Sequence, residues 1–410
     1  MTGSSAAAVN GGTPVRDTAQ NPWPKWPIYD ETEERALLEV LHSGAWWSVE
    51  GTQGKQFEHE FATFQDAKFG VNCTNGTAAL EICLRALGIG CGDEVIVPPY
   101  TFVATASAVL AVSATPIFVD IESDTLNIDP NLIEAAITPR TKAIILVHMA
   151  GRPADMDAIP AIARKHGLYL IEDAAQAVGA AWRGTRVGAI GDLGTFSFQA
   201  SKNLNSGEGG IILSNDEGLA DKAWSVANVG RVRSGRWYEH QVLGGNYRLT
   251  EFQSAILRAQ MTRVPDQTER RADNAEYLRS LLEGVDSIQL MRKDDRITTH
   301  ANHLFTFRYK KEAFGGIGYA NFVKALAAEG VPATTGYVPL YKEHLFARFT
   351  LKEGSWCQNS RTPNYPALVL PECEAICQDL VWIHQTALLA THKDMDDIAT
   401  AIAKLGSVLK

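Results

Sequence analysis

Leu168-Tyr-Leu-Ile-Glu-Asp173 and, downstream, Thr195-Phe-Ser-Phe-Gln-Ala-Ser-Lys-Asn-Leu-Asn-Ser-Gly-Glu-Gly-Gly210 decide how this chain is read. Each begins as an apolar run and ends in polar or glycine-rich residues, the pattern of a buried strand that feeds a turn. An aspartate at the carboxyl end of such a strand points into the crevice where open α/β sheets bind ligands, and a lysine in a Gly/Ser/Asn-rich turn reaches the same place. Asp173 and Lys202 then have the chemistry that pyridoxal phosphate needs. The amine holds the cofactor's aldehyde, and the carboxylate keeps its ring nitrogen protonated so that the ring accepts electrons. Taken singly, an aspartate after a strand is a helix cap and a lone lysine is a solvated charge.

Outward from these runs, short β-rich segments alternate with helical patterns. The segments are residues 68–73, 94–98, 116–121, 142–148, 168–172, 194–198 and 210–214. Most are apolar at consecutive positions, as strands covered by helices on both faces must be, so a mostly parallel seven-stranded sheet is expected. Helical patterns fall at Thr77 to Leu87 and at Met156 to His166, the second opening after Asp155 in a capping position. From Tyr247 the texture changes to a long amphipathic stretch, 249–282, broken at Pro265. A strand at 303–308, a helix at 320–329, an extended piece at 332–338 and a helix at 393–405 follow, which predicts a smaller α+β domain. The expected organisation is an extended N-terminal arm (1–30), a large cofactor-binding α/β domain (31–265) and a small C-terminal domain (266–410). Three prolines in Asn21-Pro-Trp-Pro-Lys-Trp-Pro27 make the arm extended; its two tryptophans pack either on their own domain or on a partner subunit.

A second constellation is Cys73-Thr-Asn-Gly-Thr-Ala-Ala-Leu80, a strand that turns at a glycine straight into a helix. A helix start offers unpaired N–H groups and a positive dipole end, and Thr77 adds a hydroxyl, so the segment forms a phosphate cradle. Alone it reads more readily as a capped helix with no ligand. Residues 88–92 lack the full G-x-G-x-x-G pattern and precede a strand, which does not support a dinucleotide fingerprint.

Composition excludes other classes. A net charge of −9 with no long basic run argues against nucleic acid as a partner. No apolar segment is long enough to span a bilayer, and the first residues lack a secretory pattern, so a cytoplasmic protein is expected. Cys73, Cys83, Cys91, Cys357, Cys373 and Cys377 are dispersed and read as six reduced thiols without a metal site.

Six ordered motifs carry a resemblance that covers nearly the whole chain. They are Thr74-Asn-Gly-Thr77, Val97-Pro-Pro-Tyr-Thr-Phe-Val-Ala-Thr105, Glu172-Asp-Ala-Ala-Gln176, Phe196-Ser-Phe198 with Lys202, Gly207-Glu-Gly-Gly210 and Gly245-Asn-Tyr-Arg-Leu-Thr-Glu-Phe252. Together they resemble the DegT/StrS-type aminotransferases of amino-sugar and aminocyclitol biosynthesis. The resemblance implies the fold type I architecture: a large domain with a helix-sandwiched, mostly parallel sheet, plus a smaller α+β domain. It implies pyridoxal phosphate on Lys202, its ring nitrogen on Asp173, Phe102 on one ring face, and Gln176 near the opposite face or the ring hydroxyl. Gly76, Thr77, Ser197 and Ser201 would hold the phosphate. Asn246 would reach the phosphate from a neighbouring subunit, making a homodimer part of the site. Lys202 would act as acid and base in a ping-pong transfer that passes through pyridoxamine phosphate, which requires an amine neutral at working pH.

Gln199 stands where many nucleotide-sugar members carry histidine, and Val147-His-Met-Ala-Gly151 with Gly44-Ala-Trp-Trp47 is similar to the branch acting on cyclitols and aminohydroxybenzoate rings. That implies a small polyhydroxylated keto substrate and L-glutamine or L-glutamate as amino donor. A nucleotide keto-sugar is the alternative. His384, Tyr337, Tyr341 and Arg231 are candidates for the substrate, since ring hydroxyls need hydrogen-bond partners and the donor carboxylate needs a cation. An intact Lys202 and Asp173 speak against a cofactor-fold protein that merely binds, and the missing glycine fingerprint speaks against a nicotinamide oxidoreductase.

Overall fold

The structure is a computed structural model describing residues 6–350 and 363–409. At its centre is a seven-stranded sheet in the spatial order Phe69–Cys73, Gly210–Ser214, Leu193–Ser197, Tyr169–Asp173, Thr141–Val147, Glu94–Val97, Thr115–Phe118. Gly210–Ser214 runs antiparallel to both neighbours; the other pairings are parallel. All seven expected runs become strands, with ends moved by up to three residues.

The consecutive apolar positions explain the layers. In Thr141–Val147, Ala143 and Ile145 pack on one face with Val95, Val97 and Ile212, whereas Ile144 and Leu146 pack on the other with Ile96 and Phe196. Successive side chains of a strand point to opposite faces, so such a strand needs cover on both. Helices Gly76–Ala86 and Ala104–Ala111 cover the first face; Gln53–Phe64, Ala158–His166 and Glu251–Met261 cover the second. Each fully buried Val, Leu or Ile stabilises this sandwich by about 1.5–3 kcal/mol.

The C-terminal part has an antiparallel four-stranded sheet, in the order Ile288–Leu290, Leu304–Tyr309, Leu380–His384, Ala333–Thr335. It is packed by helices Val264–Leu282, Tyr319–Ala328 and His392–Val408 around a cluster of its own. Pro265 opens a helix rather than breaking one: it sits in the first turn of Val264–Leu282, where its missing N–H leaves no bond unmade. The helix expected from Met156 starts at Ala158, because the Asp155 carboxylate accepts the N–H groups of Asp157 and Ala158 (3.0 and 2.9 Å) and holds the two residues between in a turn. The extended piece at 332–338 pairs only at Ala333–Thr335.

Both arm tryptophans pack on their own chain. The Trp23 indole N–H donates to the Gly330 carbonyl (2.8 Å) under the Arg16 guanidinium, itself ion-paired with Asp394 and Asp397. The Trp26 indole N–H donates to the Ala200 carbonyl (3.0 Å), two residues from Lys202. The reading of six reduced thiols is corrected at Cys91, which is disulfide-bonded and lies exposed in the turn before Glu94, while Cys73, Cys83, Cys373 and Cys377 are free and buried. Cys357 lies outside the described residues. Among the described residues no helix is long and apolar enough to cross a membrane.

Candidate active site

The carboxyl ends of Tyr169–Asp173 and Leu193–Ser197 and the start of helix Gly76–Ala86 open onto a cleft of about 770 Å³. Asp173 and Lys202 both line it. The buried Asp173 carboxylate accepts the Thr105 hydroxyl on one oxygen (2.8 Å) and the Ala175 N–H on the other (3.2 Å). Burial raises its pKa above the ordinary range; Thr105, Ala175 and the charge of Lys202 oppose that rise. The Lys202 amine is recessed at the floor of the cleft, and burial lowers its pKa to about 8 against the pull of Asp173. Its loop is pinned by Asn203, which donates to the Ala301 carbonyl (2.8 Å) and meets His303 Nδ1 (3.0 Å).

The strand that carries Asp173 is fixed by the residue before it. Glu172 accepts the N–H groups of Gly188, Ile190 and Gly191 (2.6, 2.8 and 2.6 Å) and faces His148 Nε2 at 2.9 Å. Since His148 Nδ1 accepts the Ala154 N–H (3.0 Å), the ring proton sits on Nε2 and is donated to Glu172. A buried charge inside the sheet is thereby satisfied on every side.

Opposite, Asn75 caps helix Gly76–Ala86 by accepting the Ala78 N–H (2.8 Å). The N–H groups of Gly76 and Thr77 have no partner among the described residues and face the same space as the hydroxyls of Thr77 and Ser197. A Cβ at Gly76 would lie 2.8 Å from Ser197 Cβ, so glycine lets the helix start approach that hydroxyl. Ser201 lines the rim, its hydroxyl donating to Gln199 Oε1 at 2.8 Å. Phe102 lines the cleft and is 55% exposed, so its ring is available to a ligand there. Gln176 is held on the far side, accepting the Ala150 N–H (2.7 Å) and donating to the Tyr337 hydroxyl (3.3 Å). Tyr337 packs edge-on against Tyr100 and Trp382. His384 lines the cleft at a strand end with its pKa lowered by burial, and Thr334 Oγ1 lies 3.2 Å from its Nε2.

Three expected residues lie elsewhere. Tyr341 is fully buried against Phe118, and its hydroxyl donates to Glu374 (2.6 Å), so packing commits it to the core. Arg231 donates to the Trp237 carbonyl (3.1 Å) with its guanidinium 4.1 Å over the Trp237 ring. Asn246 is exposed and bridges to Asn228. In the other direction, Thr105, Tyr247, His303 and Trp382 belong to the site or support it without having been singled out. The Thr105 hydroxyl also meets that of Thr101 at 3.0 Å.

This donor set suits a phosphate at the helix start, a protonated ring nitrogen at Asp173 and an aldehyde at Lys202. Residues 27–402 match the DegT/DnrJ/EryC1/StrS aminotransferase family. The chain belongs to this family. It is 38% identical to the L-glutamine:2-deoxy-scyllo-inosose aminotransferase of Streptoalloteichus tenebrarius, with 97% of each chain covered. Identity to the 3-amino-5-hydroxybenzoate synthase of Amycolatopsis mediterranei is 36%, covering 93% of this chain and 98% of that one. A crystal structure of 3-amino-5-hydroxybenzoic acid synthase superimposes with a TM-score of 0.84 at 35% identity, over 93% of this chain and 98% of the other. The protein is a pyridoxal-phosphate-dependent aminotransferase of fold type I.

Proposed function

We propose that this enzyme moves an amino group from L-glutamine or L-glutamate to a keto-cyclitol of the scyllo-inosose type. The observation that carries the acceptor class is the charge of the cleft: among the described residues, Lys202 is the one lysine or arginine that lines it. Beyond the helix-start N–H groups and hydroxyls that suit the one cofactor phosphate, the described residues of the cleft offer the diphosphate of a nucleotide-sugar no guanidinium partner. A neutral polyol asks for hydrogen-bonding groups instead, and Gln176, Tyr247, Tyr337 and His384 supply them. The names of the relatives support the same class. A second reading, an aminohydroxybenzoate-type ring, is favoured by the aromatic wall of Phe102, Tyr337 and Trp382 and by the relatives named for that product.

Bound pyridoxal phosphate supplies the electron sink that makes a proton on the amine-bearing carbon removable. The neutral Lys202 amine takes that proton from the donor's α-carbon and, in the second half of the reaction, returns one to the acceptor's ring carbon. Asp173 holds the ring-nitrogen proton, and Thr105 keeps its carboxylate aimed. Gly76, Thr77 and Ser197, with Ser201 at the rim, would hold the phosphate. Phe102 would stack on one ring face, with Gln176 near the opposite face or the ring hydroxyl. Because no arginine among the described residues lines the cleft, the cation for the donor carboxylate is assigned to a second copy, in a homodimer to which Asn246 and Arg231 would contribute. The division into an arm (1–30), a cofactor-binding part (31–265) and a C-terminal part (266–410) is supported by the helix boundary at Thr262–Arg263 and by the separate C-terminal cluster. The test offers L-glutamine labelled with ¹⁵N at its α-amine together with 2-deoxy-scyllo-inosose, read by mass spectrometry. Labelled aminocyclitol from the wild type and none from Lys202→Ala is expected; label transfer by Lys202→Ala would sink the assignment.

A further inference from the structure

A second cavity, of about 490 Å³, is separated from the catalytic cleft by Leu304, which lines both. Its walls are the turn Met149–Gly151 with Arg152, one side of helix Val264–Leu282, and the segment 291–306. Arg152 is 7% exposed, yet its guanidinium has no hydrogen bond or ion pair with any described residue. The acids whose field reaches it are already engaged: Asp294 with Arg296 (2.7 Å) and Asp124 with Arg292 (3.0 Å). Among the other charged residues of the lining, Lys293 is paired with Glu276 (2.6 Å), and Asp295 is exposed without an ion pair among the described residues. Arg279 donates to the Met291 carbonyl and has no ion pair among the described residues.

A third donor completes the arrangement. His300 Nδ1 accepts the Asn302 N–H (2.9 Å), which leaves the ring proton on Nε2, and burial lowers its pKa to about 3, so the imidazole is a neutral donor. The guanidinium nitrogens are open to the cavity and unpartnered among the described residues, so a bound anion would meet free, charged donors. Leu126, Met291 and Phe305 supply an apolar wall beside these donors, and the volume is that of a small-molecule site. We infer that this cavity is a second ligand site, distinct from the catalytic cleft, for a small organic carboxylate with an apolar body. The planar guanidinium fork of Arg152 takes the two carboxylate oxygens, while Arg279 and His300 Nε2 add donors at its edge.

The test is calorimetric titration of the holoenzyme with benzoate. One saturable site is expected, not displaced by saturating L-glutamine, and weakened about tenfold or more in both Arg152→Gln and Arg279→Gln. Both variants are expected to retain aminotransfer, since neither side chain lines the cleft. Absence of saturable binding, displacement by L-glutamine, unchanged affinity in both variants, or loss of aminotransfer in both would overturn the site. A parallel titration with inorganic phosphate tests the ligand class: phosphate binding tighter than benzoate would overturn the carboxylate assignment.

Discussion

The Lys202 amine is placed where an amine is hardest to charge, and this has a measurable consequence in the cofactor-free protein. Its folded pKa of about 8 lies below the unfolded value of 10.5, so between these pH values the unfolded chain binds more protons and stability rises with pH. Below about pH 8 the full penalty is present. Lys202→Met is therefore expected to stabilise the cofactor-free protein at pH 7 by about 1–3 kcal/mol, an advantage that fades towards pH 10.5, checked by urea unfolding at several pH values. The aim of Asp173 rests on one hydroxyl. Thr105→Val is expected to lower kcat about tenfold and to cost about 1.5–3 kcal/mol of stability, because it removes a charge-assisted hydrogen bond to a buried carboxylate; steady-state kinetics and urea unfolding measure the two effects. Asp173 and Lys202 were legible in the sequence because each ends a local pattern, strand then turn, that fixes where its side chain goes. Thr105 was not, since its role arises only when residues 105 and 173 are brought together by the sheet. Tyr341 shows the converse: hydroxyl chemistry suggested substrate, but packing against Phe118 and Phe346 decided its position.

At the scale of elements, the meeting of the helix start at Gly76 with the strand end at Ser197 builds the cradle. Gly76→Ala would press a methyl group to 2.8 Å from Ser197 Cβ, parting the two elements that share the phosphate. The fold is expected to survive while cofactor affinity falls about tenfold, as the loss of one good charged hydrogen bond implies; equilibrium dialysis against pyridoxal phosphate, beside a thermal melt, checks this. The seven strands of the large sheet were readable because burial on both faces writes consecutive apolar residues. Their ends were not, because the last paired residue depends on the neighbouring strand: Thr115–Phe118 stops three residues short of Ile121, which pairs instead with Ile128. The helix Glu31–Ser43 is marked in the sequence by its Asp30/Glu33 capping box, while the short hairpin of Ala181–Trp182 and Thr185–Arg186 has too few residues to show a period.

For the whole molecule, the cleft of one chain has no arginine among the described residues for the donor carboxylate, and the same chain exposes an apolar excursion whose Trp237, Tyr238 and Leu243 are 57%, 84% and 82% exposed. A second copy would cover the one and complete the other. Sedimentation is expected to show a dimer, and Tyr238→Asp with Leu243→Asp to give monomers that have lost most aminotransfer; an active monomer would refute the shared site. The overall class was legible from spacing and motif alone, but the second cavity was not, since Arg152, Arg279 and His300 come from three separate segments that only the folded chain assembles. The central claim, that the acceptor is a neutral keto-cyclitol, is tested most directly by comparing kcat/KM for 2-deoxy-scyllo-inosose and for a nucleotide-diphosphate keto-sugar, with L-glutamine as donor. The neutral hydrogen-bonding lining of the cleft and the names of the relatives predict that the cyclitol is preferred by at least about tenfold. A preference for the nucleotide-sugar would contradict it.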